Sequence, residues 1–259
     1  MFDKMNEPLV IKNNDFKRCI IFISYPIIDY REEILKILER IAFNRSNKYN
    51  TDQKIAVVNI NNYCLSYDSK IAFIGNSPFL EFSLSYPSYE CLGEDVLEDN
   101  LNFIKEIIYN PYLEDGVFPK NKVEDAITFY KNNVDRISTD FFSYYDYKND
   151  LLIDENDYLI SKVFKNPSLL DNVTPKGLYD TYNKIISGSP LVYLIGNVDV
   201  DKSKELIKKI LLNNKISKVR FKMDYYVYAK CIPDQVDVIT EDSSFSTVVV
   251  YCNYKVRNI

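Results

Sequence analysis

The order of strand-like and helix-like segments constrains the fold of this 259-residue chain more than any other feature. Residues 18–25 are a short, apolar, β-branched run that is typical of a buried strand, and apolar residues at helical spacing follow at 34–42. Residues 63–74 and 78–86 then predict two consecutive strands that form an antiparallel hairpin. Because strands and helices come in mixed runs without a regular strand–helix–strand rhythm, we expect an α+β fold.

The rest of the chain predicts more helices and one more buried strand. Apolar residues at helical spacing predict helices at 97–108, at 119–137 and around 206–211. The pair Thr174–Pro175 predicts the cap and first turn of another helix, and the apolar run 191–197 predicts a strand.

The chain contains no histidine. Histidine is the usual general base near neutral pH and the commonest metal ligand in proteins. Its absence therefore excludes Ser-His-Asp and Cys-His catalysis, and it excludes zinc sites of the H-E-x-x-H or H-x-x-E-H kind.

Charge, hydropathy and cysteine spacing limit the partners and the compartment. The formal net charge of −5 disfavours nucleic-acid binding, which needs a basic surface. No apolar run approaches the roughly 20 residues that cross a bilayer, and the N-terminus is too polar and acidic for a secretory signal. The five cysteines include no C-x-x-C pair, which favours free thiols in a reducing compartment. We therefore expect a cytoplasmic protein with no nucleic-acid or membrane partner.

One segment has oxygen ligands at alternate positions, as a calcium loop would. It runs from Asn197 to Glu205, but Lys202 and Lys208 stand where an EF-hand needs glycine and glutamate. We therefore expect Asp199 or Asp201 only to cap the following helix. A catalytic pair of carboxylates stays open, although 37 acidic residues make some close pairs inevitable.

Two stretches together resemble a known family. Asn110–Phe118 opens the long helix at 120–137, and Val173–Tyr182 continues through Ser189–Asp199 with its Gly-Asn-Val-Asp ending. In order and spacing they resemble the N-terminal half of the M16 metallopeptidases, the insulinase, pitrilysin and processing-peptidase group. The similarity is strongest to bacterial members that lack the catalytic motif, and it covers roughly residues 17–215.

The resemblance implies an antiparallel sheet of about six strands with helices packed on one face. Active M16 members carry H-x-x-E-H on the first helix after the first strand, with a further glutamate on the long helix downstream, and hold zinc there. In this chain the motif falls near Glu32, Leu35 and Lys36, and the downstream glutamate falls near Thr128. No shift of this alignment restores an imidazole, so we expect no metal, no cofactor and no peptidase activity.

The resemblance also implies a division of the chain. Residues 1–16 would be a polar arm and 17–215 the M16-like α+β domain. Residues 216–259 would be a linker followed by the first strand or strands of a second domain, which is missing or supplied by a partner. Within that segment, 245–256 alternates like a strand.

The function implied is that of an inactive domain that serves as a structural or peptide-binding partner of an active metallopeptidase subunit. The pair would be a heterodimer that processes peptides or precursors, and the partner would be another M16-type subunit or a second M16-like domain. An extended peptide would add to a sheet edge, at Tyr63, Cys64, Leu65, Ser66 and Tyr67. Two alternatives stay open: an enzyme that uses carboxylate, lysine or cysteine without histidine, and a purely architectural subunit of an oligomer.

Overall fold

The computed structural model of the chain describes residues 7–28, 31–62, 65–74, 77–137, 140 and 166–212. The strands of this part are β1 (Leu9–Lys12), β2 (Arg18–Pro26), β3 (Ser66–Ile74), β4 (Ser77–Pro87) and β5 (Leu191–Gly196). The helices are α1 (Glu32–Ile41), α2 (Asp52–Asn61), α3 (Tyr89–Leu92), α4 (Leu97–Tyr109), α5 (Lys120–Ile137), α6 (Pro175–Ile186) and α7 (Val200–Ile210), with a 3₁₀-helix at Pro167–Asn172. None of these helices is long and apolar enough to span a bilayer.

The described strands form one sheet in the order β1-β5-β2-β4-β3. The central strand β2 is antiparallel to both β4 and β5, and β3 and β4 form the predicted hairpin. At the other edge, β1 pairs with β5 in parallel. The α+β class is therefore confirmed, while the described sheet is mixed and has five strands, where an antiparallel sheet of about six was expected.

The first strand corrects part of the predicted polar arm, 1–16. Leu9–Lys12 is a strand with only Val10 buried, so four residues are too few for a pattern that sequence reasoning can detect. Its partner Tyr193–Gly196 lies at the far end of the described chain, and that long-range pairing holds the segment in place. The predicted linker and strand at 216–259 lie outside the described residues.

One face of the sheet is buried beneath the helices. Along β2, Cys19, Ile21 and Ile23 are at most 1% exposed, whereas Arg18 before them and Ile20 between them are exposed. The buried side chains join a single hydrophobic cluster with residues of α1, α4, α5, α6 and α7. This period of two is what a sheet with one covered face requires, and the expected packing of helices on one face is confirmed.

The uncovered face of the sheet has an apolar half and a polar half. Across β1, β5 and β2 the register places six apolar side chains side by side: Leu9, Tyr193, Phe22, Ile11, Ile195 and Ile20. Leu9 and Ile11 are 49% and 45% exposed. Across β4 and β3 the same face carries serines and charged residues, among them the ion pair of Lys70 with Glu81.

Side-chain caps begin two of the helices at the predicted residues. The Thr174 hydroxyl accepts a hydrogen bond from the backbone N–H of Gly177, and Pro175 occupies the first turn of α6. The Asp199 carboxylate accepts from the N–H of Lys202 at the start of α7. The segment 197–205 is therefore a strand end followed by a capped helix, as expected.

The close approach of β5 to β2 at Gly196 generates a testable prediction. Gly196 has φ +152°, and a Cβ there would lie 2.6 Å from Cys19 Sγ and 2.8 Å from Cys19 Cα. We expect Gly196→Ala to lower the free energy of unfolding by about 2–4 kcal/mol, because it adds backbone strain to an overpacked contact. Urea denaturation followed by circular dichroism measures the change.

Gly177→Ala is the matched control. Its new Cβ would meet only the flexible Thr174 side chain, at 3.1 Å, and alanine favours a helix. We expect a change within about 1 kcal/mol. Equal stability of the Gly196→Ala protein and the wild type would contradict the packing described at this crossing.

Candidate functional site

Helix α1 carries the residues that lie near the predicted motif positions. Glu32 and Leu35 are 5% and 0% exposed, so both side chains are directed into the protein. Lys36 is partly buried and its Nζ lies 3.8 Å from Glu39 Oε2. Leu35 belongs to the hydrophobic cluster, which leaves no room for a water-activating group at that position.

Helix α5 packs against α1 and carries the fourth predicted position, Thr128. Thr128 is exposed, and its hydroxyl donates a hydrogen bond to the backbone carbonyl of Glu124 in its own helix, at 2.9 Å. The two helices are neighbours, as the resemblance implies. Of the four predicted positions, Glu32 and Leu35 are buried in α1, Lys36 lies beside Glu39, and Thr128 bonds within its own helix.

A side chain that sequence reasoning missed, Glu39, joins three elements at this place. Its Oε1 accepts a hydrogen bond from the backbone N–H of Ile71 in β3 at 3.3 Å, and its Oε2 accepts from the Tyr130 hydroxyl of α5 at 3.3 Å. The Ser69 hydroxyl also donates to the Glu39 carbonyl oxygen at 3.0 Å. The i,i+3 spacing of Lys36 and Glu39 is visible in the sequence, but their contacts with β3 and α5 are not.

The groups around Glu39 hold its side chain in position. Burial raises the pKa of Tyr130 well above its ordinary value, and the neighbouring Glu39 carboxylate raises it further. The Tyr130 hydroxyl therefore remains protonated at physiological pH and donates a hydrogen bond to Glu39. Next to it, the Arg40 guanidinium carbon lies 3.7 Å from the centre of the Phe129 ring, a cation–π contact that also joins α1 to α5.

The described residues offer no metal centre. No group of three or more cysteine, aspartate or glutamate side chains among them is arranged to hold a metal ion. At the start of α1, Glu33 forms an ion pair with Arg31, so that carboxylate is already neutralised. The contacts between α1 and α5 include the Tyr130–Glu39 hydrogen bond and the Arg40–Phe129 cation–π contact, and they hold the two helices together.

Strand β3 is one edge of the described sheet. The carbonyl of Pro78 in β4 accepts from the N–H of Ile27, on the β2 side, so alternate residues of β4 from Pro78 onward bond to that side. Their partners in β3 therefore direct their own N–H and C=O groups away from β4, towards the outer edge of the described sheet. These outward residues are Tyr67, Ser69, Ile71 and Phe73.

The structure describes three of the five residues predicted to bind peptide. Leu65 is buried, Ser66 begins β3 and Tyr67 is half-buried, whereas Tyr63 and Cys64 lie outside the described residues. The Tyr67 ring packs edge-on against Phe43 and Phe103, with centroid distances of 5.1 and 5.5 Å. The outward backbone groups of Tyr67 are thus held by an aromatic cluster beneath the strand.

Comparisons with known proteins agree with the resemblance. No family model matches the chain. The "Probable inactive metalloprotease YmfF" of Bacillus subtilis (strain 168) is 26% identical over 153 residues, which are 57% of this chain and 35% of that protein. A conserved protein from Enterococcus faecalis V583 matches 78% of this chain and 49% of its own with a TM-score of 0.67 and 19% identity. A protease from Helicobacter pylori matches 87% of this chain and 52% of its own with a TM-score of 0.59 and 12% identity.

The chain is M16-like. The named relative has a sequence match, and the solved structures share the fold of the described domain. The M16-like chain spans about half the length of these structures and about a third of the curated relative. The Bacillus subtilis relative is named a probable inactive metalloprotease, whereas the Helicobacter pylori protein is named a protease. Proteins similar to this chain therefore carry both kinds of name.

The absence of histidine from the sequence predicts the outcome of a metal titration. We expect no stoichiometric zinc in the purified M16-like protein and no calorimetric signal of a tight site on addition of ZnCl₂, because the sequence has no imidazole. Elemental analysis by mass spectrometry measures the content. The prediction is contradicted if the wild-type protein holds stoichiometric zinc, the Glu39→Ala variant loses it and the control variant Glu124→Ala keeps it.

Proposed function

We propose that this M16-like chain is a catalytically inactive domain that holds an extended peptide for an active M16 metallopeptidase subunit. One observation carries the proposal: the chain without histidine has Glu39 paired with Lys36 and Tyr130 where α1 meets α5. Beside this contact, β3 forms an edge of the described sheet and has outward backbone groups.

The peptide-holding role rests on the chemistry of the edge. Strand addition uses the backbone N–H and C=O groups of the edge strand and needs neither metal nor acid–base residues. Tyr67 and Ser69 each direct one donor and one acceptor to that edge. An extended peptide is the ligand class that matches this pattern, and the partner would supply the zinc chemistry.

The partner role rests on the coverage of the matches. The chain accounts for 49% and 52% of the two solved structures, so each contains about as much chain again beyond the shared domain. The complementary part in our proposal is a second M16-like domain or an M16-type partner subunit, and the latter would make the assembly a heterodimer. Cys19 and Cys91 are both free thiols, which favours the cytoplasm as the compartment.

Proline at an outward position of β3 tests the peptide site. Ser69→Pro removes an edge N–H while leaving the ladder with β4 intact, since edge strands tolerate proline at such positions. We expect at least tenfold weaker binding of a fluorescein-labelled peptide of alternating threonine and valine with a lysine at each end. Fluorescence anisotropy measures the binding to the full chain.

Ser69→Ala is the matched control, because it also removes the hydroxyl that donates to Glu39 but keeps the N–H. It should bind the peptide like the wild type. Equal affinity of the proline and alanine variants, with both folded by circular dichroism, would place peptide binding elsewhere or nowhere on β3.

Co-expression with an H-x-x-E-H protein encoded by a neighbouring gene tests the partner role. We expect the two chains to elute together in size-exclusion chromatography, and Ser69→Pro in this chain to slow cleavage of the alternating peptide by the complex. Ser69→Ala should leave the cleavage rate unchanged. If the complex is stable but neither variant changes its rate of peptide cleavage, the result would favour a purely architectural subunit.

A further inference from the structure

We infer that Glu39 closes the free edge of β3 at Ile71, so that a peptide pairs only with the part of the strand before it. The inference rests on the proposed peptide site for its ligand, but the closure itself is a property of the free protein. It assigns to Glu39 the role of a specificity-determining residue.

The closure follows from the direction of the backbone groups. Ile71 belongs to the outward set, with Tyr67 and Ser69, and its N–H is the donor that the third pair of a peptide ladder would use. Glu39 Oε1 accepts a hydrogen bond from this N–H, with an N···O distance of 3.3 Å. A peptide carbonyl that approached Ile71 would have to displace a carboxylate, and hydrogen bonds to ionised acceptors are stronger than those to neutral ones.

Glu39 is fixed at this position by groups from its own helix and from α5. Its Oε2 accepts from the Tyr130 hydroxyl at 3.3 Å and lies 3.8 Å from Lys36 Nζ. The Glu39 side chain is 26% exposed, so it is partly shielded from water. Displacement would therefore break contacts at both carboxylate oxygens at once.

The closure defines the size of the ligand segment. Tyr67 and Ser69 offer two N–H and two C=O groups between them, and they are two residues apart along the strand. A peptide that uses both pairs needs an extended stretch of only about three to five residues. Beyond that stretch the peptide leaves the sheet, so the site selects short extended segments and gains nothing from longer ones.

Amide hydrogen exchange in the peptide-free full chain tests the closure directly. We expect the Ile71 amide to exchange at least tenfold faster in Glu39→Ala than in the wild type, measured by NMR. Glu39→Gln keeps an acceptor oxygen and should remain close to the wild type. The Lys70 amide, which bonds to β4 in the ladder, should not change in either variant.

Tyr130→Phe provides a second variant that keeps Glu39 and removes one of its donors. It should give an Ile71 exchange rate between those of the wild type and Glu39→Ala. An Ile71 amide that exchanges equally fast in the wild type and in Glu39→Ala would overturn the inference.

Peptide length separates this inference from the proposed function. Alternating threonine–valine peptides of five and nine residues should bind the wild type with equal affinity, and Glu39→Ala should bind the longer one at least fivefold better than the shorter. A length preference that is the same in Glu39→Ala and Glu39→Gln would overturn the limit on segment size. Faster Ile71 exchange in Glu39→Ala without binding of either peptide would support the closure and refute the peptide-holding function.

Discussion

Burial of one face of a single sheet is the constraint on which the rest of this structure depends. Ile21, Ile23, Leu80 and Leu84 are fully buried beneath the helices, and burial of such a side chain contributes about 1.5–3 kcal/mol. A shift of any strand by one residue would exchange its buried and exposed side chains, so this burial fixes the register. The register in turn decides which backbone groups of β3 face the free edge. The position of α1 beneath β3 brings Glu39 to that edge, so its contact with the Ile71 N–H is a consequence of core packing.

The sequence was sufficient for the elements whose periodicity spans many residues. The hairpin of β3 and β4, the long helix α5 and the caps at Thr174 and Asp199 all carry local signals, and the structure confirms them. Strand β1 was missed because four residues show no period and their partner is Leu191–Gly196. Glu39 was missed for the same physical reason: its partners, Ile71 and Tyr130, are 32 and 91 residues away. The positions on α1 could be located from the family resemblance, but which of them are buried could not.

The contact between α1 and α5 is made by side chains of the chain itself. A partly buried carboxylate without a partner is costly, because its charge is poorly solvated. Here Leu35 is part of the core, and Glu39 is paired with Lys36 and Tyr130, so no such uncompensated charge results at this carboxylate. The Arg40–Phe129 contact adds a further link between the helices. The Tyr130–Glu39 hydrogen bond and the Arg40–Phe129 contact therefore help to hold the two helices together.

The division of the uncovered sheet face into an apolar and a polar half has a consequence for concentrated solutions. Hydrophobic contact between Leu9, Ile11 and Ile20 of two molecules would act only at short range, whereas the net charge of −5 repels over about one Debye length, ~10 Å at 0.1 M salt. Added salt shortens the repulsion and leaves the attraction intact. Colloidal stability of this chain therefore falls as ionic strength rises, the opposite of salting-in.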